Sequence, residues 1–388
     1  MRVAIYYPWI YLTSGIERTI LETVKKSKHE ITIFTNHLDR KNTFPEFKNF
    51  KIIELRKIPV RRNLWDVLRA AVTITFQKIN LTEFELLLVH SEGLGDLILF
   101  RNNEIPSICF CHTPLRPVFD TEYKKRIYKK KNNVQKLLYH FFAYFFRLTD
   151  SYLWKKYKYI FFNSHETLRR AKKGRLLKNL EGRYEVLYPG VNTKKIKLSS
   201  VYKPYFLLPG RIMWTKNIEL GIKSFIKFKE KYKDLDEFKL IIAGQVDEKS
   251  KSYLYFLKNN SKKRDDIKFV ISPSDKILNK MYSECWAVLF TSFNEDWGLA
   301  ILEGNAFGKP AIAIRRGGVK ESQVDGKTGF LVQDNIDAFS EAMSVLARSR
   351  SLTKKLGKFA RNYIKKYDIS HFIKRLDTIL DIINKNNI

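Results

Sequence analysis

Two glutamates, Glu295 and Glu303, stand eight positions apart around a predicted junction between a loop and a helix. The apolar run Ala287–Phe290 predicts a strand before them, Gly298 stands where the helix should begin, and Gly308 predicts its end. Glu295 is therefore expected in the loop above the strand, and Glu303 more than one turn into the helix. The backbone N–H groups of such a junction bind phosphate, and a carboxylate on each side can hold sugar hydroxyls.

Two cations, Arg211 and Lys216, follow the predicted strand Tyr205–Leu208. Because parallel sheets bind ligands at the carboxyl ends of their strands, both side chains are expected to reach the same edge of the sheet as the glutamates. Two fixed cations can bind a pyrophosphate and stabilise the charge that grows as a phosphate leaves. The alternative is a solvated basic pair among the 72 lysines and arginines of the chain.

His112 directly follows another predicted strand, Ser107–Cys111, at the edge where such sheets bind ligands. A lone histidine is more often structural than functional, but this position makes His112 a candidate for contact with a substrate. His90 has a similar placement at the end of the predicted strand Leu86–His90. Ser164 is predicted to cap the N-terminus of a helix, which is a structural role.

Short apolar runs alternate with longer helical patterns along the whole chain, which predicts parallel β-α-β units in both halves. The two halves are expected to join near Tyr188–Asn192, because Pro189 and Gly190 end one strand and few apolar residues follow before Tyr205. The predicted strands are Val3–Tyr7, Ile31–Thr35, Leu86–His90, Ser107–Cys111, Tyr159–Phe162, Tyr205–Leu208, Lys239–Ala243, Ile267–Val270, Ala287–Phe290, Ala311–Ile314 and Gly329–Val332.

The composition is that of a two-domain globular protein with a strongly basic surface. Of the 388 residues, 44% are hydrophobic and 29% are charged, which excludes a disordered chain, a collagen-like fibre and a small disulfide scaffold. The 72 Lys and Arg against 40 Asp and Glu leave a formal net charge of +32. Such a surface attracts polyanions, whether nucleic acid, anionic lipid or phosphorylated substrates.

Three cysteines, Cys109, Cys111 and Cys285, are too few for a disulfide framework. Cys109 and Cys111 alternate along one predicted strand and should share a face, where buried thiols are expected and a metal or redox pair is the alternative. This cysteine usage fits a reducing cytosol. No signal peptide is expected at the N-terminus, and no run approaches the roughly 18–20 apolar residues of a membrane span.

One segment, residues 123–162, is called here the basic aromatic segment. It holds 14 aromatic residues, 11 Lys or Arg and a single acid, Asp150. Its middle, Leu137–Phe146, is apolar nearly all round, and three lysines precede it at 129–131. Basic flanks around aromatic residues are typical of contact with an anionic membrane surface. The segment could instead be a helix buried between the domains or a nucleic-acid patch, although no nucleic-acid module accompanies it.

Five motifs are together similar to those of one enzyme family. The sequence E-D-W-G-L-A-I-L-E at 295–303 resembles the E-x7-E signature of GT-B retaining glycosyltransferases of family 4. The other four motifs follow the family's order along the chain. They are S-G-I-E-R at 14–18, Y-P-G-V-N at 188–192, P-G-R at 209–211 with K-N at 216–217, and G-G at 317–318 with G-F-L-V at 329–332.

The resemblance implies an α/β GT-B fold, in which two Rossmann-like, doubly wound parallel-sheet domains face each other across a cleft. Residues 1–192 would form the acceptor-binding domain and residues 193–368 the domain that binds the nucleotide-sugar donor. The final helix, 369–388, is expected to pack back on the first domain. The implied reaction moves a hexose from the donor to an acceptor hydroxyl, with retention at the anomeric carbon.

The resemblance also implies roles for individual residues. Glu303 would bind the ribose of the nucleotide, Glu295 the donor sugar, and His112 would lie near that sugar. Gly15 would let the first strand-to-helix loop approach the donor phosphates. The implied catalytic residues are His112, Glu295, Arg211 and Lys216, and the implied donor-binding residues are Gly15, Arg211, Lys216, Glu295, Trp297, Gly298, Leu299 and Glu303.

The stretch Cys111–Arg116 resembles the C-H-T-P-x-R segment of mannosyltransferases that build lipid-linked polysaccharide or glycan. The donor is therefore expected to be GDP-mannose or UDP-glucose, and the acceptor a lipid-linked glycan. The protein is expected to be cytoplasmic and peripheral at the inner face of the cell membrane, held there by the basic aromatic segment and without a nucleic-acid partner. No cluster of His, Cys or Asp with metal-ligand spacing is recognised in the sequence, so no obligatory metal or other cofactor is expected.

The sequence departs from the family pattern at three places. Ser14 replaces the first glycine of a G-G pair, Gln245–Val246 lacks the second glycine of A-G-x-G, and Asn305 replaces an alanine or methionine. Glycoside hydrolysis fits less well than transfer, because the two glutamates are separated by a loop and a helical turn and need not face each other across a bond. A GT-B phosphorylase, a nucleotide-sugar epimerase and a non-catalytic protein that binds membranes or nucleic acid stay open as competing functions.

Overall fold

The chain forms two compact units in a computed structural model that describes residues 1–61, 63–129 and 131–385. The first unit consists of Met1–Pro189 and the residues from Phe372 onward, and the second of Gly190–His371. Lys130, from the predicted run of three lysines, lies outside the described residues. The strands are β1 Arg2–Tyr6, β2 Trp9–Ile10, β3 Glu30–Thr35, β4 His37–Leu38, β5 Ile52–Glu54, β6 Leu86–Ser91, β7 Ser107–Cys111, β8 Tyr159–Phe162, β9 Tyr184–Val186, β10 Tyr205–Pro209, β11 Lys239–Gly244, β12 Ile267–Ile271, β13 Ala287–Phe290, β14 Ala311–Ile314 and β15 Gly329–Val332.

Helices connect these strands, as parallel pairing requires. The predicted α/β fold is confirmed, and every predicted strand is present with its ends within one residue of the prediction. The helices are α1 Gly15–Lys26, α2 Leu64–Phe76, α3 Arg116–Phe119, α4 Thr121–Tyr128, α5 Asn133–Trp154, α6 His165–Lys173, α7 Ile218–Lys231, α8 Lys251–Asn260, α9 Asp275–Glu284, α10 Leu299–Ala306, α11 Val319–Ser322, α12 Ile336–Arg348, α13 Arg350–Tyr363 and α14 Ile369–Lys385.

The first unit contains a seven-stranded parallel sheet in the order β5-β3-β1-β6-β7-β8-β9. The order reverses between β1 and β6, and ligands bind at the carboxyl ends of strands at such switch points. All six residues of β6 are buried, because helices cover both faces of a parallel sheet. Cys109 and Cys111 lie in the same hydrophobic cluster, so the prediction that they share one face is confirmed.

The second unit contains a six-stranded parallel sheet in the order β12-β11-β10-β13-β14-β15, with its switch point between β10 and β13. Alternate residues of these strands belong to different hydrophobic clusters. Phe206 and Leu208 of β10 pack in one cluster, and Leu207 with Val288 of β13 packs in the other. Polar side chains are therefore available mainly where the strands end.

The two units divide at Pro189 and His371, each three residues from the boundaries expected at 192 and 368. Val191 pairs with Asp368, and Thr193 donates a backbone hydrogen bond to the Asp368 carboxylate at 3.0 Å. Burial would raise the pKa of Asp368, but hydrogen bonds from Ser370 and Thr193 outweigh it and lower that pKa to about 2. These bonds tie residues 191–193 to the second unit.

The C-terminal helix α14 packs against the first unit. Phe372 meets the ring of Phe110 on β7 edge-on, with centroids 5.4 Å apart. Ser27 donates to Asp377 Oδ1 at 2.6 Å, and Arg375 forms a bidentate ion pair with Glu185 at 2.6 and 2.8 Å. This last helix therefore covers one face of the sheet that the beginning of the chain builds.

The basic aromatic segment contains α4, α5 and β8, and α5 is buried on one side only. Tyr139, Ala143, Phe146, Leu153 and Trp154 point into the core of the first unit. The opposite side exposes a run of large apolar residues. No helix within the described ranges is both long and apolar enough to cross a membrane.

Two buried carboxyls link α5 to the turn that follows β6. Tyr157 donates to Asp96 Oδ1 at 2.6 Å and Trp154 to Oδ2 at 3.3 Å. Burial raises the pKa of Asp96 to about 6, although these hydrogen bonds oppose the rise. Burial, and then the nearby Asp96, raises the pKa of Asp150 well above its usual range. Asp150 therefore keeps its proton to a higher pH than an exposed aspartate does.

The raised pKa of Asp150 gives the stability of the fold a defined pH dependence. When folding raises the pKa of a carboxyl, the free energy of unfolding of the protein falls as pH rises above the pKa of that carboxyl in the unfolded chain, because the unfolded chain can release the proton. We expect the free energy of unfolding of Asp150→Asn, relative to that of the native chain, to increase by roughly 1–3 kcal/mol as pH rises from about 4.5 to about 7.5. Urea unfolding at both pH values measures this difference. The exposed Asp265→Asn is the control, and an equal effect of Asp150→Asn at both pH values would contradict the prediction.

Candidate active site

The switch point of the second sheet brings together most of the predicted site residues. Strands β10 and β13 are neighbours, with Phe206 opposite Ala287 and Leu207 opposite Val288. Both strands are parallel, so the loops that follow them leave from the same edge. The loop after β10 carries Arg211 and Lys216, and the loop after β13 carries Glu295.

Lys216 and Glu295 form an ion pair at this edge, with Nζ 2.6 Å from Oε2. The two loops are joined by backbone as well. Thr291 Oγ1 donates to the Lys216 carbonyl at 2.8 Å, and the Phe293 N–H donates to the Thr215 carbonyl at 2.8 Å. Because both side chains are about one-fifth exposed, the pair is partly desolvated and still open to a ligand. The two loops therefore hold one cation and one carboxylate in a fixed geometry.

The junction predicted from the sequence is present after β13. Gly298 has φ +99°, a conformation that favours glycine, and α10 begins at Leu299. Glu303 is the fifth residue of α10, and Tyr282 of α9 donates to its Oε2 at 2.8 Å. Trp297 is buried and meets the ring of Tyr367 edge-on, with centroids 5.0 Å apart. The first turn of α10 thus lies between Glu295 and Glu303 in sequence.

Two glycines of the loop after β14 allow close backbone contact with the Glu295 loop. A Cβ on Gly318 would lie 1.9 Å from the Asp296 carbonyl oxygen, and one on Gly317 would lie 2.4 Å from that of Glu295. The Gly318 N–H donates to the Glu295 carbonyl at 2.9 Å. Only glycine permits this approach, which explains why the G-G motif accompanies the paired glutamates.

Arg211 follows Gly210, whose φ is +128°, directly after β10. Its charge acts on Asp247, which follows β11. Burial would raise the pKa of Asp247, but a hydrogen bond from Ser250 and the charges of Lys249 and Arg211 outweigh it and lower that pKa. The structure therefore places Arg211 near a carboxylate on the β11 side of the switch point, while Lys216 lies on the β13 side.

His112 and His90 form a pair in the first unit, which the sequence did not reveal. His90 Nδ1 lies 2.9 Å from His112 Nε2, and the rings stack with centroids 5.2 Å apart. His90 lies opposite Phe110, two residues before His112, so the three rings share one face of the sheet. The register of the neighbouring strands β6 and β7 is what brings the pair together.

Burial determines the charge state of this pair. Burial lowers the pKa of His112 to about 3 and lowers the pKa of His90 well below its usual range. Both rings are therefore neutral at pH 7, and one ring donates the shared hydrogen bond that the other accepts. Asn163 Nδ2 donates to the His112 carbonyl at 2.8 Å, which also fixes the backbone at this position.

Gly15 is the first residue of α1, and its predecessor Ser14 caps the helix. The Ser14 hydroxyl accepts from the Ile16 N–H and is hydrogen bonded to the Glu17 carboxylate. The family's glycine at position 14 is thus replaced by a residue that stabilises the helix N-terminus. The predicted cap at Ser164 is confirmed as well, with its side chain accepting from the Thr167 N–H at 3.1 Å.

The predicted site residues fall into two groups. Arg211, Lys216, Glu295, Trp297, Gly298, Leu299 and Glu303 lie in the second unit, and Gly15 and His112 lie in the first. Sequence reasoning missed Thr291, Tyr282 and Asn163, which hold Lys216, Glu303 and His112 in place. Thr291 and Asn163 each directly follow a strand, so their positions at the carboxyl edge were the available signal, whereas Tyr282 gave none.

Comparisons with known proteins agree with this geometry. Residues 192–363 match the family "Glycosyl transferases group 1". The chain is 24% identical to the alpha-1,3/1,6-mannosyltransferase ALG2 of Dictyostelium discoideum, over 98% of each chain. It is 27% identical to the uncharacterized glycosyltransferase MJ1178 of Methanocaldococcus jannaschii, over 94% of this chain and 92% of that protein.

A solved structure shows the same fold over the full length of both proteins. HepE of Anabaena, crystallised with UDP and glucose, matches with a TM-score of 0.74 at 14% identity and covers 98% of this chain and 99% of its own. The chain therefore has the GT-B fold of these glycosyltransferases, and residues 192–363 are similar to the group 1 glycosyl transferases.

Proposed function

We propose that this glycosyltransferase moves mannose or glucose from a nucleoside diphosphate sugar, GDP-mannose or UDP-glucose, to a hydroxyl of a lipid-linked glycan, with retention at the anomeric carbon. The observation that carries the proposal is the Lys216–Glu295 pair at the switch point of the second sheet, next to the first turn of α10. Similarity to ALG2 supports mannose, and the UDP and glucose bound to HepE support a nucleotide sugar. Residues 193–368 would then bind the donor, and residues 1–192 the acceptor.

The donor phosphates meet three sources of positive charge in this proposal. Lys216 and Arg211 supply two cations, and the first turn of α10 supplies backbone N–H groups and the positive end of its dipole. Lys216 is already oriented by Glu295, so little side-chain entropy is lost when the phosphate binds. The Glu295 carboxylate can accept hydrogen bonds from donor-sugar hydroxyls, and Glu303 from the ribose hydroxyls. Tyr282 fixes the rotamer of Glu303.

The chemistry needs charge stabilisation more than proton transfer. The bond between the anomeric carbon and the diphosphate oxygen breaks, while a new bond forms to the acceptor oxygen. With retention, the acceptor arrives on the face from which the diphosphate leaves, so the departing phosphate oxygen can take the acceptor's proton. Arg211, Lys216 and the helix N–H groups stabilise the negative charge on the diphosphate in the transition state. His112, being neutral, serves as a hydrogen-bonding group for the sugar.

Donor binding should depend on the two charged groups of the second unit. We expect Lys216→Ala and Glu303→Gln each to weaken binding of the matching nucleotide by roughly 1–3 kcal/mol, because each loses a charge-assisted hydrogen bond. Thermal-shift titrations with UDP, GDP and ADP measure the loss and also identify the base. Lys223→Ala, which removes an exposed lysine of α7, is the matched control. Unchanged affinity in both site variants would refute the site assignment.

The protonation state of His112 should be visible in the pH profile. Since its pKa is lowered to about 3, His112 stays neutral throughout the working range, and kcat should show no inflection that belongs to it. We expect His112→Gln to lower kcat while leaving the shape of the profile between about pH 5 and pH 8 unchanged. The exposed His371→Gln is the control. An inflection of the native enzyme that disappears in His112→Gln would show that His112 titrates and acts as a base.

Contact with a membrane would bring the enzyme to a lipid-linked acceptor. On α5, the residues Val134, Leu138, Phe141, Phe145, Leu148 and Tyr152 follow one another at steps of four and three. Such spacing keeps them on one face, and Leu137 and Tyr144 widen it. All eight are between 51% and 67% exposed. This apolar face with lysines and arginines around it fits the inner, anionic surface of the cell membrane.

The α5 face should therefore control vesicle binding. We expect Phe141→Glu with Phe145→Glu to abolish sedimentation with vesicles that contain anionic lipid, because two aromatic contacts with the bilayer are lost and negative charge is added. Tyr255→Glu with Phe256→Glu, a matched change of exposed aromatic residues on α8 in the other unit, should leave sedimentation unchanged. Equal binding by both double variants would exclude the α5 face as the membrane contact.

A further inference from the structure

A second helix of the first unit, α2, also presents large apolar side chains to solvent, and it lies outside the basic aromatic segment. Trp65, Val72 and Phe76 are 77%, 58% and 71% exposed. Their spacing of seven and four residues places them on one face of the helix, and Arg69, also exposed, lies on the same face. A soluble surface seldom exposes several such residues in one row, and such a row is typical of a binding surface.

The helices α2 and α5 both contact the same turn of the first unit, Leu94–Phe100, which follows β6. At the end of this turn, the half-exposed Phe100 ring stacks on the Tyr152 ring of α5 with centroids 6.3 Å apart. Lys78, two residues after α2, donates to the Arg101 carbonyl at 3.0 Å. Phe100 and Arg101 therefore connect the C-terminal end of α5 with the residues that follow α2.

Basic residues lie on or shortly after α2, α5 and the turn that both helices contact. Lys156 lies over the Tyr152 ring, with Nζ 5.0 Å from its centroid. Lys78 forms an ion pair with Glu104. The basic residues that lie on these elements or within four residues after them are Arg69, Lys78, Arg101, Lys155, Lys156 and Lys158.

We propose that α2 and α5 together form a two-helix lipid surface, in which Trp65 and Phe76 enter the headgroup region of an anionic bilayer beside the α5 face. The proposal rests on the membrane contact proposed above and adds a second line of contact to it. A single interfacial helix leaves the protein able to rotate about that helix axis. Two helices fix the tilt of the first unit, and they thereby fix the height of its sheet edge above the bilayer.

The charge distribution selects lipid over a second copy of the chain as the occupant. Two copies that met through this surface would bring the cations of Arg69, Arg101 and Lys155 close to their own equivalents, which is unfavourable. Anionic headgroups neutralise the same cations and leave the aromatic rings at the depth where tryptophan is favoured. The chemistry of the surface thus matches a bilayer with anionic lipid.

Tryptophan fluorescence gives a direct test, because Trp65 is far more exposed than the buried Trp154, Trp286 and Trp297. The difference between the native protein and Trp65→Phe isolates the emission of Trp65. With vesicles of phosphatidylcholine and phosphatidylglycerol, we expect this emission to shift to the blue and to be quenched by brominated lipid. Vesicles of phosphatidylcholine alone should produce neither change.

A partition measurement completes the test. Trp65→Glu with Phe76→Glu should weaken binding to the anionic vesicles roughly tenfold or more, since binding strength follows the apolar area that is buried. The pair Tyr255→Glu with Phe256→Glu is again the control, and the circular dichroism of each variant checks its fold. If the α5 variant loses binding while the α2 variant keeps it and Trp65 emission is unmoved, the two-helix surface is overturned and the membrane contact stands.

The remaining outcomes also decide between the two proposals. If the native protein binds neither kind of vesicle, the membrane contact and the two-helix surface both fail. If Trp65 emission shifts with protein concentration in the absence of lipid, a second copy of the chain covers α2 and the lipid assignment is overturned.

Discussion

Burial of both faces of each parallel sheet is the constraint that determines where this protein can do chemistry. Successive residues of a strand point into different apolar clusters, as Leu207 and Leu208 do on β10. A polar side chain in the middle of such a strand would be desolvated without a partner. The carboxyl edges are where the strands give way to loops, and the Lys216–Glu295 ion pair and His112 lie there.

The same constraint explains why backbone groups hold so much of the site. The loops after β10, β13 and β14 run close together, and they are joined by hydrogen bonds such as those of Thr291 and Gly318. Glycines 317 and 318 make the approach sterically feasible. The side chains of Lys216 and Glu295 therefore project from a backbone that is fixed on three sides. A site of this kind is rigid before any ligand arrives, which favours transition-state stabilisation over rearrangement.

The strands and the loop-to-helix junction could be predicted from sequence because their signals are local. Runs such as Ser107–Cys111 are short, apolar and bounded by turn residues, and the glycine at 298 marks a helix start directly. The contact of His90 with His112 joins residues 22 positions apart through the register of two strands, and no local pattern contains it. The side of α5 that is exposed was equally inaccessible, because a helix that is apolar nearly all round does not reveal which side is covered. Short strands with polar residues, such as β9, were missed for lack of an apolar run.

The first unit is discontinuous in the sequence, because α14 joins it only after the second unit is complete. During synthesis, the residues of the second unit leave the ribosome before Phe372 can cover Phe110 and the histidine face of the first sheet. Until then that face stays open to water, and the first unit lacks the contacts of Ser27 with Asp377 and of Glu185 with Arg375. The first unit therefore cannot reach its final packing before the whole second unit has been translated. Cutting the chain at Pro189 would yield a fragment without its own closing helix, so the first unit is best studied within the whole protein.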